Sequence, residues 1–354
     1  MESVNLLKDL ILIDSSTVEN ANRTIQFCKA YLERHGIQGK IVESNGVQSY
    51  VATIGNGEKT LIFNGHLDVV SGRKDQFEPR VEGDRLYGRG AADMKGGVAA
   101  IIQAFLKLKD LSLDCKIMLQ LVADEEVGGL NGTKYLVDQG YVGDFVICTE
   151  PTNMTVSIQA KGIMRLDIHT KGYAAHGSRP WEGENAILKA IRDFEKIQEL
   201  PILSIGSKFY ENTSVNLAFI EGGDIYNRVP DHTKMGLDIR YVPQVNPEEI
   251  VEAIRNVVNG EVIVKVIEPS INVPSESEYL HLLSQTIKDV TQVKEVEMTG
   301  QHGSSDNRFF SGKGIPAVEF GPCGGNWHGD DEYVDLSSVK ELEEILIQFA
   351  KKFC

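Results

Sequence analysis

Cysteine is scarce and scattered: five residues, Cys28, Cys115, Cys148, Cys323 and Cys354, with no Cys-x-x-Cys pair. An odd count without close spacing argues against a disulfide framework and against a thiolate zinc site. Positive charge is also in deficit, with 36 Lys and Arg against 51 Asp and Glu, a net charge of -15. Such a surface repels phosphate backbones and excludes nucleic acid as a partner. No apolar run approaches the ~18 residues that a membrane span needs, so no membrane is expected either. The opening MESVNLLKDLILIDSST has an early acid and helical periodicity in place of a basic n-region and an apolar h-region. A cytoplasmic protein is the expectation. Internal repeats and low-complexity stretches are missing, and so is a glycine-rich phosphate loop. The segment GNGEKT precedes a strand, not a helix, which removes a nucleotide-binding reading.

What is present is an ordinary globular composition, 42% apolar and 25% charged, over 354 residues, enough for roughly two domains. Apolar periodicity predicts helices over 4–13 and 22–35 and strands over 48–54, 60–66, 116–123 and 144–148, with helical spacing in MKGGVAAIIQAFLKLKD and NGTKYLVDQG. Strands alternating with helices imply an α/β fold with a mainly parallel sheet and helices on both faces. The style changes near residue 162. Strand 163–170, helix 183–198, strands 214–220 and 233–241, helix 247–258 and strand 262–267 give a βαββαβ order, an inserted α+β unit with an antiparallel sheet. The first style then returns, with helix 277–290, strands 295–299 and 316–320, and helix 337–352. The expected organisation is a catalytic domain over 1–161 and 272–354, interrupted by an inserted domain over 162–271.

The run LIFNGHLDVV ends a core-like strand on His66 and Asp68, which share one face because side chains repeat every second residue. Ligands in open α/β sheets collect at the carboxyl ends of strands. Other polar residues cluster at such ends: Asp93 in GRGAADMKGG, Glu125 and Glu126 in ADEEVGG, Glu150 in CTEPT and His328 in GGNWHGDDEYV. Two histidines and three carboxylates make a nitrogen and oxygen ligand set suited to zinc, or to cobalt or manganese. Five ligands, one of them bridging, fit two metal ions, and a glutamate beside a ligand glutamate is placed to act as general base.

These motifs, in this order along essentially the whole chain, resemble the di-zinc family that contains acetylornithine deacetylase, succinyl-diaminopimelate desuccinylase, aminoacylase and the bacterial folate-cleaving glutamate carboxypeptidase. The resemblance implies a zinc exopeptidase-like catalytic domain with a ferredoxin-like lid and dimerisation insert. It further implies that Asp93 bridges two zinc ions, His66 and Glu150 holding one, Glu126 and His328 the other. Asp68 would orient His66, Glu125 would be the general base, and the peptide bond after Asp93 would be cis. Glutamate at position 150 points to the deacylase and carboxypeptidase branches.

In the insert, KGYAAHGSRPWEGENAI, GGDIYNRVPD and LDIRY carry three further residues. By resemblance, His176 would reach the active site of the partner in a homodimer and stabilise the oxyanion there. Asn227 and Arg240 would recognise the carbonyl and carboxylate of the substrate, since the planar fork of arginine suits a carboxylate. Lys161, Gly303 and Ser304 are weaker candidates for the same carboxylate. The expected reaction is hydrolysis of the amide of a small N-acyl-L-amino acid, with a dipeptidase or carboxypeptidase of the same family as the rival. Gly324 stands where the desuccinylase branch has a substrate-facing asparagine, and DDEYV looks closer to the acetylornithine deacetylase side.

Overall fold

The computed structural model describes residues 2–354. The chain divides into two compact units, the first comprising 1–158, 273–299 and 305–354, the second 159–272 and 300–304.

The sheet of the first unit runs in the order Gly39–Ser44, Val47–Gly55, Lys116–Val122, Thr60–His66, Phe145–Cys148, Ala317–Glu319 and Val156–Ala160. Its centre is parallel: Thr60–His66 pairs in parallel with both Lys116–Val122 and Phe145–Cys148, and Phe145–Cys148 with Ala317–Glu319. The outer pairings are antiparallel. Burial on both faces explains the near-continuous apolar runs of the central strands. On one face Ile62 and Val146 pack with Val137, Phe309 and Phe310 from the short helices Thr133–Asp138 and Asn307–Ser311. On the other, Phe145 packs in tilted contact against Phe349 of helix Leu336–Phe353 and Tyr279 of helix Glu278–Thr291, with ring centroids 5.7 and 5.4 Å away.

A small antiparallel sheet in the same unit orders Gly324–Gly325, Tyr333–Asp335, Arg85–Tyr87 and Arg80–Glu82. It matters because the loop of His328 leaves one of its strands and returns on the next, while the segment carrying Asp93 follows Arg85–Tyr87. Periodicity did not reveal this sheet, since two- and three-residue strands are too short to show a repeat. The edge strand Gly39–Ser44 was missed as well, its alternation blurred by half-burial on both sides.

The second unit has one four-stranded antiparallel sheet, ordered Ser214–Gly222, His232–Tyr241, Gly162–Lys171 and Glu261–Glu268. Helices Ala186–Gln198 and Pro247–Val257 contribute Ala190, Ile197, Ile250 and Ile254 to its core, against Leu166, Ile168, Leu237 and Ile239. Both helices begin on asparagine caps. Asn185 accepts the N–H of Ile187 and Leu188, and Asn246 accepts that of Glu248, with Pro247 at the first helical position.

One cysteine expectation is corrected. Cys115 and Cys354 form a disulfide, with Cα atoms 4.8 Å apart despite a sequence separation of 239. Sequence spacing could not show the pair, because it depends on the last helix ending beside the start of a central strand. Cys28, Cys148 and Cys323 are free.

Candidate metal centre

The carboxyl ends of the parallel strands converge on one cluster in the first unit. His66 is the last residue of its strand and is 1% exposed. Glu125 and Glu126 lie in the turn Glu125–Val127 after strand Lys116–Val122, and Glu150 lies two residues past strand Phe145–Cys148. Asp93 occupies the irregular turn Ala91–Lys95 ahead of helix Gly96–Leu108, and its peptide bond to Met94 is cis.

Two glycines let these segments meet. Gly90 has φ +77°, and a side chain there would strike Val69; a Cβ on Gly97 would lie 2.1 Å from the carbonyl oxygen of Thr149. The helix that begins beside Asp93 thus rests directly on the backbone next to Glu150.

Among the described residues, two groups of three could hold a metal ion: His66, Asp93 and Glu150, and Asp93, Glu126 and His328, with ligand atoms in each within 4.8 Å of one another. Asp93 belongs to both and uses a different oxygen for each. His66 Nε2 is 3.2 Å from its Oδ1 and 3.8 Å from Glu150 Oε1. His328 Nε2 is 3.3 Å from its Oδ2 and 3.3 Å from Glu126 Oε1. Glu126 Oε1 is buried and has no hydrogen-bond partner, although the histidine is so near.

Asp68 meets His66 with both its main chain and its side chain. His66 Nδ1 lies 2.9 Å from the backbone carbonyl of Asp68, against 3.5 Å from the carboxylate. That carboxylate accepts the N–H groups of Glu125 at 3.2 Å and Glu126 at 2.9 Å. Asp68 thus faces the imidazole with its carbonyl nearest and its carboxylate just beyond, and the same carboxylate holds the two-glutamate turn.

Burial pushes Glu125 and Glu150 well above the usual carboxylate range, and neighbouring acids push the same way: Asp306, Asp68 and Asp93 on Glu125, Asp93, Glu125 and Glu319 on Glu150. Burial also raises Glu126. Burial acts on Asp93 in the same sense, yet His328 and His66 outweigh it and hold this carboxyl well below its ordinary value. His66 is raised against the opposing effect of burial by Glu150, Asp68 and Asp93, and His328 is raised chiefly by its hydrogen bond to Asp93. Four clustered carboxyl groups outnumber the two imidazoles, a surplus of acids crowded into a poorly solvated place, which is why the affinity of the glutamates for protons rises. The orphaned Glu126 oxygen, the cysteine-free donor set and this surplus all fit divalent cations of the zinc, cobalt or manganese type.

The remaining candidates belong to the second unit. His176 is exposed, and its Nδ1 is 2.8 Å from Ser178 Oγ. Asn227 is exposed, and its carbonyl accepts the N–H of Gly177 at 2.7 Å, which keeps it beside His176. Arg240 pairs with Asp238 on its own strand, Nε to Oδ1 at 2.7 Å. Lys161 is buried and donates to the carbonyl of Asn212 at 2.7 Å. Gly303 faces open space, and the Ser304 hydroxyl is buried with no partner.

Several residues at the centre escaped sequence reasoning. Arg308 is 3% exposed, donates to the carbonyls of Ser305 and Gly128 and lies 4.0 Å from Glu125. Asp306 accepts the Thr133 hydroxyl at 2.6 Å. Glu332 and Arg89 form a buried pair. HGSSDNRFF and DDEYV held these residues in view, but nothing in one sequence separates Glu332 from Asp330 or Asp331.

A sheet edge that gathers two histidines and two glutamates around one shared aspartate, with a further half-buried glutamate alongside, defines a hydrolase of the two-metal type. The chain belongs to peptidase family M20/M25/M40, which its residues 62–352 match. It is similar to a probable succinyl-diaminopimelate desuccinylase of Staphylococcus aureus, 30% identical with 99% of this chain and 98% of the relative covered. A succinyl-diaminopimelate desuccinylase of Rickettsia akari is 27% identical over 99% of both chains. Among solved structures, aminopeptidase PepT from Bacillus cereus superposes with a TM-score of 0.84 at 20% identity, covering 99% of this chain and 98% of that one. A Bacillus subtilis protein described as a dinuclear metal binding peptidase of the M20 family gives a TM-score of 0.76 at 15% identity, covering 99% and 97%. These structures share the fold. Among the described residues, no helix is long and apolar enough to cross a membrane.

Proposed function

We propose that the protein is a metal-dependent deacylase that hydrolyses the amide bond of an N-acyl-L-amino acid. The observation that carries this reading is the sharing of Asp93 between two ligand sets with the half-buried Glu125 beside them. His66, Asp93 and Glu150 would hold one ion and Asp93, Glu126 and His328 the other, zinc being the first choice and cobalt or manganese alternatives. When bound, the ions supply Lewis acidity toward the scissile carbonyl and the attacking water.

The protein groups do the proton work. Glu125 takes a proton from the attacking water and delivers it to the nitrogen of the leaving amine. Its raised affinity for protons, owed to burial and neighbouring acids, suits both halves of that task. Asp68 fixes the turn of Glu125 through two backbone N–H groups. In the second unit, Ser178 engages His176 at Nδ1, which leaves Nε2 to stabilise an oxyanion. Arg240 and Asn227, with Lys161, Gly303 and Ser304, would bind the carboxylate and carbonyl groups of the substrate.

Two further parts belong to the proposal: that the protein acts as a homodimer through its second unit, which rests on the family resemblance, and that it works in the cytoplasm.

The relatives named as succinyl-diaminopimelate desuccinylases support the deacylase reading. The test is a substrate panel on protein reconstituted with zinc or cobalt: N-succinyl-diaminopimelate, N-acetylornithine, other N-acyl amino acids and dipeptides. Preference for an acyl amino acid is the expected result. Preference for dipeptides would establish the zinc dipeptidase or carboxypeptidase reading in its place.

A further inference from the structure

Arg89 and Glu332 form an ion pair whose side chains are 3% and 1% exposed, Nη1 to Oε2 at 2.8 Å. Burying two charges is a poor way to gain stability by itself, because desolvation offsets the attraction. The arrangement of their other bonds suggests a different reason for the pair.

Glu332 accepts four hydrogen bonds on two oxygens. Oε2 takes Arg89 Nη1 at 2.8 Å and the N–H of Gly90 at 2.9 Å. Oε1 takes the N–H of Ala92 at 3.0 Å and that of Asp93 at 3.1 Å. The carboxylate therefore binds the main chain of the aspartate common to both ligand sets. Arg89 completes the circuit by donating Nη2 to the carbonyl of His328 at 3.2 Å. Two backbone bonds brace the same segments: Gly88 N–H to the carbonyl of Glu332 at 3.0 Å, and Arg89 N–H to that of Gln76 at 2.7 Å. Gln76 in turn donates to the carbonyls of Gly329 and Asp330, each at 3.1 Å.

The need for such a brace follows from the local backbone. Asp93 sits in an irregular turn, and His328 has φ +59°, so neither is fixed by a regular ladder of hydrogen bonds. The geometry points to Glu332, working with Arg89, as the positioning residue of the metal centre. It sets the distance between the main chains of Asp93 and His328, so that the second ion is bound by ligands already in place. Groups that fix ligands from behind typically change metal affinity by about 10- to 100-fold when removed.

This inference rests on the two-metal reading of the site, and its test separates the two. The full chain, stripped with a chelator, is titrated with zinc alone by calorimetry and with cobalt alone by its visible spectrum. Wild-type protein binding neither ion would sink the two-metal reading itself. With wild type binding two ions, Glu332→Gln is expected to weaken both by about 10- to 100-fold, since an amide cannot accept on both sides. Arg89→Lys keeps the charge but cannot span Glu332 and the His328 carbonyl. It is expected to weaken mainly the ion held by Asp93, Glu126 and His328. The metal-free melting temperature is read alongside. Ion affinities within about threefold of wild type in both variants, whatever the melting temperature does, would overturn the proposal and leave Glu332 a loop-folding residue. If Glu332→Gln fails to fold, Arg89→Lys decides alone by the same criterion.

Discussion

The carboxylate of Asp68 accepts the backbone N–H of Glu126 at 2.9 Å, while its carbonyl, not its carboxylate, stands nearest to the imidazole of His66. Replacing the side chain therefore removes support from the glutamate turn but leaves the main-chain contact to His66. Asp68→Ala is expected to lower kcat by about 10- to 100-fold and to retain the ion of the His66 set. His66→Ala is expected to lose that ion. Metal analysis and steady-state kinetics on both variants check this, and equal loss of metal would show that the carboxylate orients His66 after all.

Glu125 is a member of neither ligand set. Its variant Glu125→Gln preserves shape but cannot take a proton, so kcat should fall by about 10²- to 10⁴-fold with two ions still bound. Near-normal turnover of the metal-loaded variant would remove Glu125 from its assigned role.

A methyl group on Gly97 would meet the Thr149 carbonyl oxygen at 2.1 Å and must push the start of a helix away from the segment of Glu150. Gly97→Ala should cost about 1–3 kcal/mol, the range for overpacking. Urea unfolding measures it. An unchanged midpoint would mean that the helix start is free to retreat.

Glu319 is in neither ligand set and offers a pH test beside the centre. Burial, helped by Asp93 and opposed by hydrogen bonds from Ser305 and Ser157, raises its carboxyl from 4.5 to about 7. Ser305 Oγ donates to it at 2.6 Å. Between those two values the folded protein holds a proton that the unfolded chain has lost, so this group makes stability fall as pH rises. The slope reaches about 1.4 kcal/mol per pH unit. Glu319→Gln keeps an acceptor for Ser305 and removes the titration. Relative to wild type, the variant should gain stability steadily from pH 5 to pH 7. Parallel curves of unfolding free energy against pH would contradict the shift.

What the sequence made legible is what a strand end can show. His66, Asp93, Glu125, Glu126, Glu150 and His328 follow short apolar runs or glycine-rich turns, and their residue types already name a ligand chemistry. The alternation of strand and helix gave the parallel sheet, and the βαββαβ order matches the strands and helices observed in the second unit. Relations that cross between loops stayed hidden. Nothing near Asp68 indicates that its side chain turns toward the N–H groups of residues 125 and 126. Glu332 looks like one of several acids in a solvated turn until the fold sets it beneath Asp93. Cys115 and Cys354 became partners only through the packing of the last helix. Period and composition report burial, whereas these contacts depend on where separate loops come to lie.

The ligands also differ in when the ribosome delivers them. His66, Asp93 and Glu150 are all made before the second unit, and His328 only after it. One ligand trio thus exists early in synthesis, and the other waits for the final stretch of chain. The sheet has the same timing. Strand Ala317–Glu319 must enter between Phe145–Cys148 and the strand containing Ser157, both made long before. A growing chain halted ahead of that strand would hold half a metal centre beside an open strand edge, the kind of surface on which unfinished proteins join one another.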